Sequence, residues 1–345
     1  MQLSDSEIKQ QTHSLWKTVF GDSEDFMDLY FSKKYTPESN VVRTLGDSVV
    51  AAGQWFNYDT LVAGKELKSV YLSGLATLPE RRGRGYASSI IRDGIQRAYI
   101  EGASLAWVIP ATEELCQFYS AAAHGSFYMV ASRFEHTFVP SESVPSGYEV
   151  LPLTSAALVM PFLYKCLAHY GAALMPSLND VEVALSLVKI EQGHALYVRR
   201  GDEVCAMGFV VKNKQGVWRI SFMESVDLEA EKVLLNALFQ ATGVNELKAM
   251  LPLPDDSFVS IPYAMARVVD VEKFFQIMAP TLSDQTVCIE VVPDYILPHC
   301  GGRYLFENGT VQPTDRPPHY TLRPGMLAYF FLARPFISLP MMLDE

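Results

Sequence analysis

The residues best suited to chemistry fall in one run, Val70 to Ile91, VYLSGLATLPERRGRGYASSII. Gly83 and Gly85 allow a backbone to come close to a ligand, and the guanidinium groups of Arg81, Arg82 and Arg84 stand among them. Before this loop, Val70, Leu72 and Leu75 suit a strand, which Pro79 and Glu80 stop. After it, Ala87 to Ile95 carries apolar residues at helical spacing. A helix that opens straight from a Gly-rich loop offers amide N–H groups with no intrahelical partner. Those donors, the helix dipole and the arginines all favour an anion. The dipole alone contributes only about 0.3–1 kcal/mol at an exposed site, so several donors must act together. The chemistry this points to is phosphate binding.

Two familiar phosphate loops do not fit. A P-loop needs G-x-x-x-x-G-K-[ST], and no Lys follows Gly85; a dinucleotide fingerprint needs G-x-G-x-x-G, and its third glycine position is Ser88. What remains is R-x-x-G-x-A, formed by Arg82, Gly85 and Ala87. It resembles the acetyl-CoA pyrophosphate loop of the GNAT N-acetyltransferases, Q/R-x-x-G-x-G/A. That resemblance implies acetyl-CoA as cosubstrate. It also implies backbone donors from Leu75, Ala76 and Thr77 to the pantetheine arm and the reaction's oxyanion. Arg82, Gly83, Arg84, Gly85, Tyr86 and Ala87 would then cradle the pyrophosphate, with the side chains of Arg81 and Arg84 reaching either a 3′-phosphate or solvent.

In the same family a Phe-Tyr pair sits beside the thioester sulfur, and this chain has Phe118-Tyr119 after the next strand. An amine attacking a thioester creates an oxyanion, which needs a donor, and then expels a thiolate, which needs a proton. A phenol of pKa about 10 is matched to a thiolate of about 8.5, so Tyr119 is the expected acid. A Tyr ring packed in the core is the structural alternative. His124 reads as a loop histidine without a role.

The elements around these residues follow a recognisable order. Residues 4 to 35 suit two short helices, with Ser23 capping the second and Phe26, Leu29 and Tyr30 on one face. Strands at Val41–Arg43 and Val49–Trp55 flank a turn at Gly46-Asp47, and Phe56–Tyr58 leads to a turn at Ala63-Gly64. Ser104 to Ile109 is a short strand ended by Pro110, Thr112 caps a helix, and a final strand pair is expected around Phe127 to Phe138. Trp16, Trp55, Phe56 and Tyr58 are candidates to line an acceptor pocket, with core packing as the alternative for each.

A length of 345 residues exceeds what one core usually serves, so two or three domains are expected. The stretch Pro140 to Gly147, rich in Pro and Ser, marks a boundary. From Tyr148 to about Pro254 the sequence repeats the first order: strand YEVLPL, helices around Val159–Tyr170 and Asp180–Leu187, strands ALYVRR, EVCAMGFVVK and VWRISFMES, a helix from Glu229 to Thr242, and strand LKAMLPL. No phosphate loop appears at the corresponding point, where Glu224, Asp227 and Glu229 would repel a pyrophosphate. From Pro262 the pattern changes to a strand turning into a helix, a hairpin around Gly301-Gly302, and a strand leading to an apolar helix.

M-A-R-V-V-D-V and G-R-Y-L-F-E-N-G in this last stretch resemble the sterol-carrier-like domain of the Eis-like (enhanced intracellular survival) acetyltransferases. The fold class expected is therefore α/β (α+β): tandem GNAT folds, catalytic over 1–140 and degenerate over 147–258, then a small sterol-carrier-like α+β domain over 262–345. In that family the C-terminal carboxylate enters the first domain's active site, which here is the α-carboxylate of Glu345. Its reference pKa of about 3.3–3.7 makes it a base only when desolvated or acting through water. The terminus Leu343-Asp344-Glu345 is acidic where the family's is apolar or aromatic.

A net charge of −11 argues against nucleic acid or an anionic membrane as partner and is compatible with a cationic small molecule. Five widely spaced cysteines without a C-x-x-C pair indicate neither a disulfide framework nor a metal site. The N-terminus shows no targeting pattern and no apolar run approaches about 18 residues, so the cytoplasm is the expected location. The resemblance implies acetyl transfer to a primary amine, the charge is compatible with a small cationic acceptor, and aminoglycosides or lysine side chains are suggested by the resemblance alone. The alternative is a non-catalytic acetyl-CoA sensor or a binder of apolar ligands. A homo-oligomer is left open.

Overall fold

The computed structural model describes residues 3–213, 215–254, 260–333 and 336–340. Helices α1 (Asp5–Phe20) and α2 (Glu24–Lys33) open the chain. Ser4 and Glu7 form a reciprocal capping box on α1, and Ser23 accepts from the Phe26 amide at the start of α2. Their inner faces bring Trp16, Tyr30, Phe31 and Tyr35 into one aromatic cluster. A meander of β1 (Asn40–Leu45), β2 (Ser48–Val62) and β3 (Lys65–Thr77) follows, turning at Ala63-Gly64 with both residues at positive φ as a tight hairpin requires. Then come α3 (Tyr86–Ile100), β4 (Leu105–Val108), α4 (Glu113–Ser120) and β5 (Tyr128–Phe138).

The middle stretch runs β6 (Glu149–Pro152), α5 (Met160–Leu167), β7 (Ala172–Met175), α6 (Leu178–Ile190), β8 (His194–Arg200), β9 (Glu203–Lys212), β10 (Trp218–Ser225), α7 (Leu228–Thr242) and β11 (Leu247–Leu251). The last stretch holds β12 (Ser260–Val268), α8 (Val271–Met278), β13 (Val287–Val291), β14 (Gly302–Glu307), β15 (Thr310–Pro313), β16 (Tyr320–Leu322), α9 (Pro324–Leu332) and β17 (Ile337–Ser338). The class is mixed α/β, with helices packed on large sheets.

Strands from all three stretches join in one sheet of order β17-β7-β2-β3-β4-β12-β5-β11-β10-β9-β8-β6, with β1 beside β2; a second sheet has order β15-β14-β13-β16. Two local expectations change. Only one strand, β5, occupies Phe127 to Phe138, and its neighbour on the β4 side is β12, antiparallel to both. The edge of β5 that faces β4 is thus paired by chain from the last stretch. The tight turn of the last stretch lies at Asn308-Gly309 between β14 and β15, while Gly301 and Gly302 close the loop 292–301. Asn308 and Gly309 both hold positive φ, the backbone a two-residue hairpin demands.

One hydrophobic core runs from Trp55, Trp107 and Tyr119 through β12 to Phe274, Phe275, Phe306 and Phe331, so the first and last stretches are packed as one body. Each fully buried Phe of that seam contributes about 1.5–3 kcal/mol. On the α3 face of the sheet the fit is tight: a Cβ at Gly94 would lie 2.0 Å from the Trp55 indole.

Candidate active site

The site begins where two parallel strands part. β3 pairs with β4 from Ser69 to Leu72, and the ladder ends at Leu72 opposite Val108. At the next turn of the pleat, the β2–β3 register shifts between Ala52 and Gln54. Gly74 sits at that bulge with φ +58, and a Cβ there would meet the Trp16 ring at 2.1 Å. Conformation and space both demand glycine. Beyond the bulge, Leu75, Ala76 and Thr77 continue β3, and among the described residues no strand pairs with them on the β4 side. Tyr30 braces the same place, its hydroxyl 3.2 Å from Ser73 Oγ.

A single turn of 3-10 helix, Pro79–Arg81, then leads into Arg82, Gly83, Arg84 and Gly85. Gly83 and Gly85 adopt φ +72 and +78, and no atom lies within 4 Å of the position a Cβ would take at either. Backbone conformation, not crowding, calls for these glycines. Gly85 is the N-cap of α3, so no side chain covers the first amides of that helix, and its first turn holds no acidic residue. By contrast α1, α2, α4, α6, α7 and α8 each have a Ser, Thr or Asp side chain on an N-terminal amide. The residues from Arg82 to Gly85 are exposed, and Arg82 Nε reaches back to the Thr77 carbonyl at 3.4 Å.

In the middle stretch α7 follows β8, β9 and β10 as α3 follows β1, β2 and β3, and its N-terminus is closed. Asp227 Oδ1 accepts from the Ala230 amide at 2.8 Å, so a carboxylate of the chain already occupies that helix end. Glu224 just before it turns inward, accepting from Tyr170 Oη at 2.9 Å. Burial pushes its carboxyl up to about 7 against the opposing effects of Tyr170 and Arg133.

Tyr119 is carried by α4, whose start is fixed by Thr112 accepting from the Leu115 amide. Its side chain is 6% exposed, with Phe118 and Phe127 edge-on at centroid distances of 5.2 and 6.1 Å. Burial raises the phenol pKa well above the ordinary tyrosine value. The hydroxyl is therefore held in its protonated form, able to donate a hydrogen bond, while the same shift takes it further from the pKa of a leaving thiolate than a free phenol would be.

One residue at this site was given no role by the sequence. His124 Nδ1 shares a hydrogen bond with Ser88 Oγ at 2.7 Å, and its ring stacks on Phe118 at 4.0 Å. Ser88 is the third residue of α3. The two residues stand 36 apart in sequence, and nothing local connects them.

A cavity of about 530 Å³ lies between α2, β2 and α6, with Phe56, Tyr58, Lys34, Asp180 and Tyr164 among its walls. Leu75 to Thr77 and Tyr119 are not in its lining, so it is separate from the parted strands. Lys34 forms an ion pair with Asp180 beside Tyr58. Burial alone would raise the Asp180 carboxyl, but Lys34 and Ser177 together hold it below the usual value. Of the four candidate pocket residues, Phe56 and Tyr58 reach this cavity. Trp55 is core against α3, and Trp16 closes the bulge while its Nε1 donates to Asp22 at 2.8 Å.

Glu345 lies outside the described residues. The chain before it runs through β17, parallel to β7, to Leu339, whose carbonyl accepts from Tyr263 of β12 at 3.5 Å. Among the described residues no group of His, Cys, Asp and Glu is placed to hold a metal ion, and no helix is long and apolar enough to cross a membrane.

Residues 2–121 match the family model of the acetyltransferase (GNAT) domain. No curated protein matches the sequence. Solved structures match over nearly the whole chain. A conserved protein of Enterococcus faecalis, described as a probable N-acyltransferase, has TM-score 0.76 at 13% identity, covering 94% of this chain and 87% of its own. Eis1 from Mycobacterium abscessus has TM-score 0.74 at 12% identity, covering 96% and 88%. A GCN5-related N-acetyltransferase from Anabaena variabilis has TM-score 0.75 at 15% identity, again covering 96% and 88%. At these identities the structural likeness is one of fold. The matched domain makes this chain an acyltransferase by its first 121 residues.

Proposed function

We propose that the chain is an acetyl-CoA-dependent N-acetyltransferase acting on the primary amine of a small cationic molecule. The observation that carries this reading is the open N-terminus of α3 behind the Gly74 bulge, with a buried, protonated Tyr119 on the neighbouring helix. In this reading the amides from Arg82 to Ala87 bind the pyrophosphate and those of Leu75 to Thr77 receive the pantetheine arm. The parted strands leave β3 amides for the oxyanion.

The steps balance as follows. A neutral amine attacks the thioester carbonyl carbon, and the carbonyl oxygen takes the negative charge. The C–S bond then breaks, the sulfur receives the Tyr119 proton, and the nitrogen loses one of its own to water or to a base. The terminal carboxylate of Glu345 is our candidate for that base. Tyr119 regains its proton from solvent.

We assign residues 1–140 as the catalytic unit, 147–258 as a second GNAT-like unit without a phosphate loop, and 262–345 as a sterol-carrier-like unit. The closed α7 terminus supports the second assignment. The net charge of −11 favours a cationic acceptor, and a cytoplasmic setting suits acetyl-CoA.

Thiol release from acetyl-CoA, followed with a colorimetric thiol reagent against aminoglycosides, polyamines, amino acids and lysine peptides, tests the proposal. Release that depends on one acceptor class supports it. Acetyl-CoA binding without acceptor-dependent release overturns catalysis in favour of a sensor.

A further inference from the structure

The turn that follows Tyr119 is held from three directions, two of them by elements of the last stretch, β12 and α9. Within the turn, the Phe127 amide donates to the Tyr119 carbonyl at 3.0 Å and the Ser126 amide to the Ala121 carbonyl at 3.2 Å. Gly125 sits at φ +105, where a Cβ would lie 2.6 Å from the Phe127 ring. Its carbonyl accepts from Arg267 Nη1 at 2.7 Å. Arg267 comes from β12 and is fully buried, and the same Nη1 lies 2.8 Å from Asp294 Oδ2. Asp294 is itself fixed, its Oδ1 accepting from the Ile296 and Leu297 amides at 3.0 Å each. From a third side, α9 presses Gly325 so close to the Ser126 carbonyl that a Cβ there would lie at 1.8 Å.

His124 is the outward arm of this braced turn. It reaches α3 through Ser88 and stacks on Phe118, the residue before Tyr119. We infer that His124 is a positioning residue: it ties the Tyr119 helix to the phosphate-loop helix, and Arg267 anchors the turn that carries it. The inference rests on the acetyltransferase reading, because its consequence is the placing of the Tyr119 hydroxyl against a thioester held at α3. A buried charge pair is costly to desolvate and is compensated by hydrogen bonds. Here one of those hydrogen bonds is spent on a single carbonyl beside the site.

The reasoning separates the hydrogen bond from the packing. His124→Phe keeps a ring on Phe118 and loses the bond to Ser88; Ser88→Ala loses the same bond from the other end, and Ser88→Thr keeps the hydroxyl. A misplaced donor acts on the chemical step, whereas the cofactor loop is untouched. The expected result is a kcat lowered about tenfold in His124→Phe and in Ser88→Ala, with acetyl-CoA Kd within about twofold of wild type. The double variant falls no further than either single one, and Ser88→Thr restores kcat.

Hydrogen exchange of the 121–127 amides, read without any turnover, is the companion measurement. Exchange at least tenfold faster in His124→Phe supports the brace even where no acceptor has been found, so a failure of the acetyltransferase reading is visible separately. Unchanged exchange, unchanged kcat in His124→Phe, or a loss confined to acetyl-CoA Kd overturns the inference.

Discussion

Replacing Tyr119 by Phe removes one oxygen and leaves the ring between Phe118 and Phe127. The packing at centroid distances of 5.2 and 6.1 Å is retained, so the fold is expected to persist. What is lost is a proton donor at the leaving sulfur. General acid catalysis contributes about 10²–10⁴-fold, and a thiolate of pKa about 8.5 departs moderately well without help, which places the loss at the lower end. A fall in kcat of tenfold to about a hundredfold, or about 1.4–2.7 kcal/mol of barrier, is expected with acetyl-CoA affinity nearly unchanged. The pH profile adds an independent check. The folded pKa of the phenol is raised above its ordinary value of 10, so the donor form persists below that raised value and is lost only beyond it. Wild-type turnover should therefore show no alkaline decline attributable to Tyr119 below pH about 10. An unchanged rate in Tyr119→Phe, or a wild-type decline below that pH which the variant abolishes, would refute the assignment.

Glu224→Gln keeps an acceptor for Tyr170 and removes a carboxyl whose folded pKa is raised from 4.5 to about 7. A raised acid contributes stability that is complete below its unfolded pKa and lost as pH rises through the folded one. The shift corresponds to about 3 kcal/mol at 1.36 kcal/mol per pKa unit. Urea unfolding should show wild type losing stability relative to Glu224→Gln between pH 5 and 8; parallel curves would contradict the burial argument. Deleting Asp344 and Glu345 should lower kcat at least tenfold if the terminal carboxylate serves the amine, and full activity in the truncated chain would remove that role.

The local signals in the sequence translate directly. Ser23 and Thr112 cap helices because each sits just before an apolar repeat, and Arg82, Gly85 and Ala87 mark the open end of α3 because the types themselves set the backbone. Long-range partners left no such mark. An apolar stretch such as Tyr263 to Val268 reads as a buried strand in any sheet, and nothing in it says that it inserts between β4 and β5. β7 is four residues long, too short to show alternation, yet it joins β2 to β17. The Ser88–His124 and Arg267–Gly125 bonds join residues 36 and 142 positions apart, beyond any spacing rule. What the sequence conveys is the glycine-rich loop at the start of α3; what it hides is the packing around Tyr119.

The central claim is that the β3–α3 loop holds the acetyl-CoA pyrophosphate. Calorimetric titration of acetyl-CoA into wild type and Arg82→Glu tests it most directly. The exposed position of Arg82 leaves the fold intact on substitution, while reversing one charge beside a pyrophosphate should weaken binding at least tenfold. Saturable binding to wild type that is lost or strongly weakened in Arg82→Glu is the predicted result, and equal affinity in the two proteins would contradict it.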